Sequence, residues 1–286
     1  MAAVFDDRPC GLGEGALWHP ERAQLFWFDI IGGKLLSRRG EARFEWEFAE
    51  MVSAAGWVDH DRLLIASESS LFLFDLETER AREVVPLEAD NMETRSNDGR
   101  ADLLGGFWIG TMGRNAEAEA GAIYRYFRGQ LRRIYAGLTV PNAICFAPDG
   151  QTAYFTDSRS RQLMAQPLGP EGWPEGAPRL LIDFTAEGLI PDGAVTDADG
   201  NLWIAQWGAG RVAVHRPDGA FLRAIPVGAR KTSCPALGGP GFDTLFVTTA
   251  RGDYDAEELA ADPLAGQVFA APAGAVGRPE IRVRLD

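Results

Sequence analysis

A short run of apolar and aromatic residues, bounded by turn residues, recurs six times along the chain, at 25–29, 63–66, 107–111, 153–157, 202–205 and 245–249. The first residues of successive runs lie 38, 44, 46, 49 and 43 positions apart. A four-stranded propeller blade occupies roughly 40–50 residues, so the spacing fits one blade per run. The runs are apolar without alternation, as in Leu202-Trp203-Ile204-Ala205, which suits inner strands covered on both faces by neighbouring blades.

The flanks agree. His60-Asp61, Pro148-Asp149-Gly150, Asp199-Gly200-Asn201 and Gly241-Phe242-Asp243 precede four of the runs as reversal signals. Strands of mixed pattern follow, such as Leu71-Phe72-Leu73-Phe74, Ala122-Ile123-Tyr124-Arg125-Tyr126 and Val212-Ala213-Val214-His215. Helical periodicity is nearly absent, apart from a short turn expected near Ala256-Glu257-Glu258-Leu259. The pattern predicts an all-β fold: a six-bladed β-propeller with four-stranded antiparallel blades around a central channel, one domain over residues 1–286. A large β-sandwich or two smaller β domains is the alternative, but nothing resembling a linker interrupts the series.

The segments before the runs are expected to be loops that cross the top of the propeller and enter near the axis. Counting back 10 or 11 residues from each run reaches one equivalent position, occupied by Glu14, Asn97, Asn142 and Asp192 in four repeats and by Ser233-Cys234-Pro235 in the sixth. The second repeat offers only Val52-Ser53-Ala54-Ala55, so that side of the ring is expected to be apolar. Asn-Asp-Gly and Pro-Asp-Gly are also ordinary turn sequences, and each residue alone reads as a turn cap. In phase across separate repeats, they read instead as oxygen donors facing one another. Buried unpaired carboxylates are costly, and a cation would relieve that cost. Oxygen donors suit a hard or borderline divalent ion, without choosing among Ca²⁺, Mg²⁺, Mn²⁺, Fe²⁺ and Zn²⁺.

Charge and composition narrow the function. The net charge of −13 disfavours nucleic acid and anionic membranes as partners. Cys10, Cys145 and Cys234 lie far apart without a CxxC pair and read as packing residues in a reducing compartment. The chain starts without a basic stretch and apolar core, and no apolar run reaches the roughly 18 residues of a membrane span, so a soluble cytoplasmic protein is expected. The three histidines, His19, His60 and His215, form no cluster for a zinc site of the protease kind and read as surface or packing residues. There is no Gly-x-Ser-x-Gly elbow, phosphate loop or dinucleotide fingerprint.

Six motifs in order run from Leu12-Gly13-Glu14-Gly15-Ala16-Leu17-Trp18 through Arg95-Ser96-Asn97-Asp98-Gly99, Gly110-Thr111-Met112, Val140-Pro141-Asn142 and Ile190-Pro191-Asp192-Gly193 to Thr248-Thr249-Ala250-Arg251. Together they resemble the family of regucalcin (senescence marker protein), bacterial gluconolactonases and luciferin-regenerating enzymes, over essentially the whole chain. Pro263-Leu264-Ala265-Gly266-Gln267-Val268-Phe269 is more similar to the bacterial sugar-lactonase branch. The resemblance implies a six-bladed propeller holding one divalent metal, with Glu14, Asn142 and Asp192 as ligands. It implies that Arg95 and Asn97 bind substrate, and that a glutamate after Thr111-Met112 helps hold the sugar. Glu117 and Glu119 both fall in that stretch, and Glu117 is the preferred assignment.

Hydrolysis of a sugar (aldono-) lactone, gluconolactonase-like, would follow. A metal on three protein oxygens leaves positions for carbonyl oxygen and water; Asp192 is the leading general base for that water, and a metal-bound hydroxide is the alternative nucleophile. Arg95 and Asn97 would orient the ring oxygens or hydroxyls. Two other readings stand beside this one: a non-catalytic calcium- or protein-binding propeller module, and a metal-dependent aryl esterase, which would usually bring channel histidines. The particular sugar lactone and the oligomeric state are left open by the sequence.

Overall fold

Each of the six apolar runs becomes the second strand of a four-stranded antiparallel sheet, and six such sheets make a six-bladed β-propeller. The computed structural model describes residues 1–286 throughout. Blade 1 consists of Gly13–His19, Gln24–Asp29, Lys34–Arg39 and Ala42–Glu47, counted from the axis outward. The innermost strands of blades 2 to 6 are Val52–Trp57, Thr94–Ala101, Pro141–Phe146, Ile190–Thr196 and Thr232–Gly238. Blade 6 borrows its outermost strand from the start of the chain: Ala3–Asp6 pairs with Val268–Pro272, with Ala3 opposite Ala270 and Val4 opposite Phe269. This closes the ring without leaving blade 6 one strand short, since two chain ends now hold one sheet together.

The apolar runs therefore sit one strand further from the axis than expected, and the segments expected to be loops are the innermost strands themselves. The physical reason lies in what each strand faces. Second strands are covered on both faces, so Leu25, Phe26, Trp27 and Phe28 are all fully buried between neighbours. Innermost strands line a polar channel, so Thr94–Ala101 carries Thr-Arg-Ser-Asn-Asp-Gly-Arg-Ala and has no strand-like periodicity to read. Two second strands are pinned by a shared device. Trp108 Nε1 donates to Asp102 Oδ2 at 3.1 Å and Trp203 Nε1 to Asp197 Oδ2 at 3.0 Å. Each aspartate's other oxygen takes the N–H groups of its own turn, Leu104 and Gly106 for Asp102, Asp199 and Asn201 for Asp197. The buried indole thus finds a partner while the turn between first and second strand is fixed.

The short turn expected around Ala256 is an α-helix, Ala256–Ala261, started by Asp255 in a capping box with Glu258. No helix is long and apolar enough to cross a membrane. Beyond Pro272 the chain leaves the sheet and runs beneath the ends of the innermost strands. Ala198 N donates to Val276 O at 2.9 Å, Val283 N to Trp57 O at 2.8 Å and Arg284 N to Gly105 O at 2.9 Å. Arg100, near the end of its innermost strand, is ion-paired with Glu280 of this tail. The tail blocks one end of the channel and leaves open the end at which the innermost strands begin.

Candidate functional site

Every innermost strand carries one more residue than the second strand opposite it. The register shifts between Glu14 and Leu17, Val52 and Ala54, Ser96 and Gly99, Asn142 and Cys145, Pro191 and Ala194, and Thr232 and Pro235. A bulge of this kind bends the strand and re-aims a side chain, and here it is repeated in all six blades at one height. One polar residue stands at each: Glu14, Ser53, Asn97, Asn142, Asp192 and Ser233. The expectation of an apolar side in blade 2 is corrected by Ser53, whose Oγ donates to Ser96 Oγ at 2.7 Å. The ring is polar all the way round.

Backbone conformation supports the bulges locally. The residues after Glu14 and Asn142, Gly15 (φ 59°) and Ala143 (φ 55°), are left-handed. A side chain at Gly15 would also overlap the carbonyl oxygen of Ser53, so glycine is required there on two counts. At Gly193, beside Asp192, a Cβ would lie 2.9 Å from Cys234 Cα, so blades 5 and 6 approach too closely for any larger residue.

Hydrogen bonds stitch the ring from blade to blade. Arg95 Nη1 donates to Asn97 Oδ1 and to Ser96 O, both at 2.9 Å. Asn97 Nδ2 donates to Asn142 Oδ1 and to Pro141 O, both at 3.1 Å. Asn142 Nδ2 donates to Ser158 Oγ at 3.0 Å, and Ser158 Oγ donates to Pro191 O at 2.6 Å. Ser233 Oγ reaches Gly13 O of blade 1. The two carboxylates are the exceptions, since neither Glu14 nor Asp192 accepts a hydrogen bond from any other side chain, although only 6% and 5% of their surfaces are exposed.

That arrangement is electrostatically unfavourable for two anions. Burial, then the charges of Asp192 and Asp98, push Glu14 well above the usual carboxylate range. Burial and Asp98 do the same to Asp192. Asp98 is itself raised to about 6 by burial, although its Oδ2 accepts the Ile144 N–H at 2.7 Å. Arg95 is the nearby compensating cation, and its own pKa is lowered by burial. No three His, Cys, Asp or Glu side chains converge as a ligand group. A divalent ion here would therefore rest on two carboxylates and need the amide oxygen of Asn142 as its third protein donor. The donor set fits such an ion, because a cation would take the unshared oxygens of Glu14 and Asp192 and cancel their repulsion.

The structure brings together Glu14, Arg95, Asn97, Asn142 and Asp192. It does not bring Glu117 into that network. Glu117 is exposed on the loop after Phe107–Gly113, where its carboxylate accepts Asn115 N at 3.0 Å and Asn115 Nδ2 at 2.9 Å, and these bonds lower its pKa. Glu119 is exposed as well. Sequence reasoning placed the Ser233 segment at the ring position but missed Ser53, Ser158 and Asp98 as members. Asp98 adjoins Asn97 in the quoted motif and Ser158 follows a run directly, so both carried a positional signal.

Two residues before each ring position, at the open end of the channel, stand Leu12, Met51, Arg95, Val140, Ile190 and Lys231. Their equivalence is seen in the pairing: Arg95 opposes Met112 and Ile190 opposes Trp207, each the sixth residue counted from the start of its run. Main-chain bonds make the same match for Met51 with Glu68, Val140 with Ser158 and Lys231 with Ala250. Four apolar side chains and two cations thus form the rim.

The model of the SMP-30/Gluconolactonase/LRE-like region matches residues 12–251. A protein of Rhizobium meliloti (strain 1021), provisionally named a sugar lactone lactonase, is 42% identical over 96% of this chain and 94% of its own length. The L-arabinolactonase of Azospirillum brasilense is 35% identical over 95% of this chain and 91% of its own. Among solved structures, a calcium-binding protein, regucalcin, from Agrobacterium tumefaciens strain C58 superposes with a TM-score of 0.96 at 37% identity, covering 99% of this chain and 97% of that one.

Proposed function

Because the chain belongs to the SMP-30/gluconolactonase/LRE-like family, we propose that it hydrolyses a sugar (aldono-) lactone to the free sugar acid, using one divalent ion held by Glu14, Asn142 and Asp192. The observation that carries the metal dependence is the pair of buried carboxylates, Glu14 and Asp192, left without side-chain partners in a ring whose other members are hydrogen-bonded. When bound, the ion supplies Lewis-acid polarisation of the lactone carbonyl and lowers the pKa of a water.

The chain's own groups do the rest. A water oxygen bonds to the acyl carbon while the bond from that carbon to the ring oxygen breaks. The proton leaving the water passes to a carboxylate oxygen of Asp192 and from there to the departing alkoxide, so the base is regenerated. Burial and Asp98 raise the proton affinity of Asp192, which favours it as the proton acceptor, while Arg95 lowers it and a bound cation would lower it further. Arg95 spends Nη1 on Ser96 and Asn97, leaving its Nε and Nη2 hydrogens for the oxygens of the sugar. Asn97 has both amide hydrogens committed, to Pro141 and Asn142, so its role is to hold Arg95 and Asn142 in register. Sugar lactones open slowly in water unaided, so orientation and a few kcal/mol of electrostatic help suffice.

A binding-only propeller is the second reading, favoured by the name of the Agrobacterium neighbour, a calcium-binding protein. Acid release from a panel of aldonolactones, followed with a pH indicator and compared with aryl esters, separates the readings. Turnover of a lactone above background supports hydrolysis; metal binding with no turnover of any lactone supports the module.

A further inference from the structure

The rim holds a second cation that the hydrolytic reading does not use. Arg95 belongs to blade 3 and Lys231 to blade 6, so the equivalent positions place them across the channel from each other, three blades apart. The remaining rim positions, Leu12, Met51, Val140 and Ile190, are apolar. The two cations thus stand at opposite rim positions with apolar positions between them, Arg95 beside the ring carboxylates and Lys231 over Trp207 and Tyr254.

Lys231 is held for such a role. Its Nζ sits 4.1 Å from the ring centre of Tyr254 and 5.5 Å from that of Trp207, and donates one hydrogen bond, at 2.6 Å, to Gly252 O. It pairs with no carboxylate, so two of its three N–H groups remain unassigned. The aromatic rings stabilise the charge without consuming those donors. The choice of residue is also unusual for this chain, which has 28 Lys and Arg in all, of which Lys34 and Lys231 alone are lysines. Lys34 lies on blade 1 and is tied to Glu45 at 2.6 Å and Glu47 at 2.9 Å.

We propose that Lys231 is a specificity-determining residue that grips the hydroxyl-bearing end of the lactone remote from Arg95, with Trp207 and Tyr254 forming the wall behind it. The inference rests on the hydrolytic reading, and the sugar would span the channel: ring and carbonyl oxygens lie toward Arg95 and the metal ligands, polyol end toward Lys231. A compact ammonium with two free donors suits scattered hydroxyls better than a planar guanidinium fork, which favours a carboxylate.

The test uses the full chain and whichever aldonolactone it turns over fastest. Lys231→Met should raise KM at least fivefold with a smaller change in kcat and unchanged affinity for the divalent ion, and Lys231→Arg should recover part of the loss. An unchanged KM in Lys231→Met, or a loss of metal affinity equal to the loss of activity, overturns the proposal. A second measurement does not depend on the variants folding. Acetylation by an N-hydroxysuccinimide ester, read by peptide mass spectrometry, should be slowed at Lys231 and not at Lys34 by saturating gluconate, galactonate, xylonate or arabinonate. Equal reaction at Lys231 with and without every one of these acids contradicts the proposal. Should the chain turn over no lactone, the hydrolytic reading fails, while protection of Lys231 by a sugar acid would still establish the grip.

Discussion

The amide of Asn97 donates to Oδ1 of Asn142 across the boundary between blades 3 and 4, at 3.1 Å, while its own Oδ1 accepts from Arg95 at 2.9 Å. One side chain thus couples the residue proposed to hold the metal with the residue proposed to hold the sugar. Removing it should disturb both. Asn97→Ala is expected to weaken divalent-ion affinity by about 10–100-fold, the usual range for losing a group that orients a ligand. A competitive chelator titration measures this, and an affinity within twofold of wild type would contradict the coupling.

Glu14 and Asp192 raise a different expectation, because their charges are costly when no cation is present. In chelator, Glu14→Gln and Asp192→Asn should each melt at a higher temperature than wild type, by a few degrees for a chain of this size. Added divalent ion should raise the Tm of wild type and leave both variants nearly unmoved. Variants that melt lower than chelated wild type would show that the two carboxylates are not repelling one another.

Asp98 makes the pH dependence testable. Its folded pKa, about 6, lies above the ordinary value of 3.8, so the stability it contributes is fully present below pH 4 and is lost as pH rises through 6. Asp98→Asn does not titrate. Its stability relative to chelated wild type should therefore improve between pH 4 and 7, by on the order of 3 kcal/mol if the full shift is expressed. Urea midpoints at the two pH values measure the change; a difference that is flat or falls with pH counts against a raised Asp98.

The tail that closes the far end of the channel should matter for stability rather than for metal binding. Arg100 and Glu280 are paired with only 9% of each side chain exposed. Glu280→Ala leaves the guanidinium buried without its ion-pair partner, which should cost about 3–5 kcal/mol. Denaturant unfolding and ion titration on the same variant distinguish the two effects, and a drop in ion affinity without a drop in stability would contradict this division.

What the sequence made legible follows from which residues face apolar neighbours. Leu25 to Phe28 and Leu202 to Ala205 are buried from both sides, so their runs declared the blade count. The innermost strands were read as loops because Arg95, Ser96, Asn97 and Asp98 line the channel and answer to the site rather than to a core. Glu14, Asn142 and Asp192 could be found by phase, since a carboxylate or amide beside glycine or proline is conspicuous. The Ser233 segment was reached by the same count, whereas Ser53 could not be, because a lone serine among apolar residues has no composition signal and only the bulge puts it at the same height. Glu117 follows from the resemblance, through the stretch after Thr111-Met112, and the structure leaves it exposed on its loop outside the hydrogen-bonded ring. The strand Ala3–Asp6 and the tail beyond Pro272 are too short or too irregular to carry a pattern, although one closes the ring and the other closes the channel.

Lactone opening is expected to need a divalent ion on Glu14, Asn142 and Asp192. The most direct measurement is the initial rate of acid release from an aldonolactone by chelator-treated protein, before and after titration with a divalent ion. The rate should sit at the uncatalysed background in chelator, recover fully at one ion per chain, and not recover in Asp192→Asn. Full activity in the metal-free protein would contradict it.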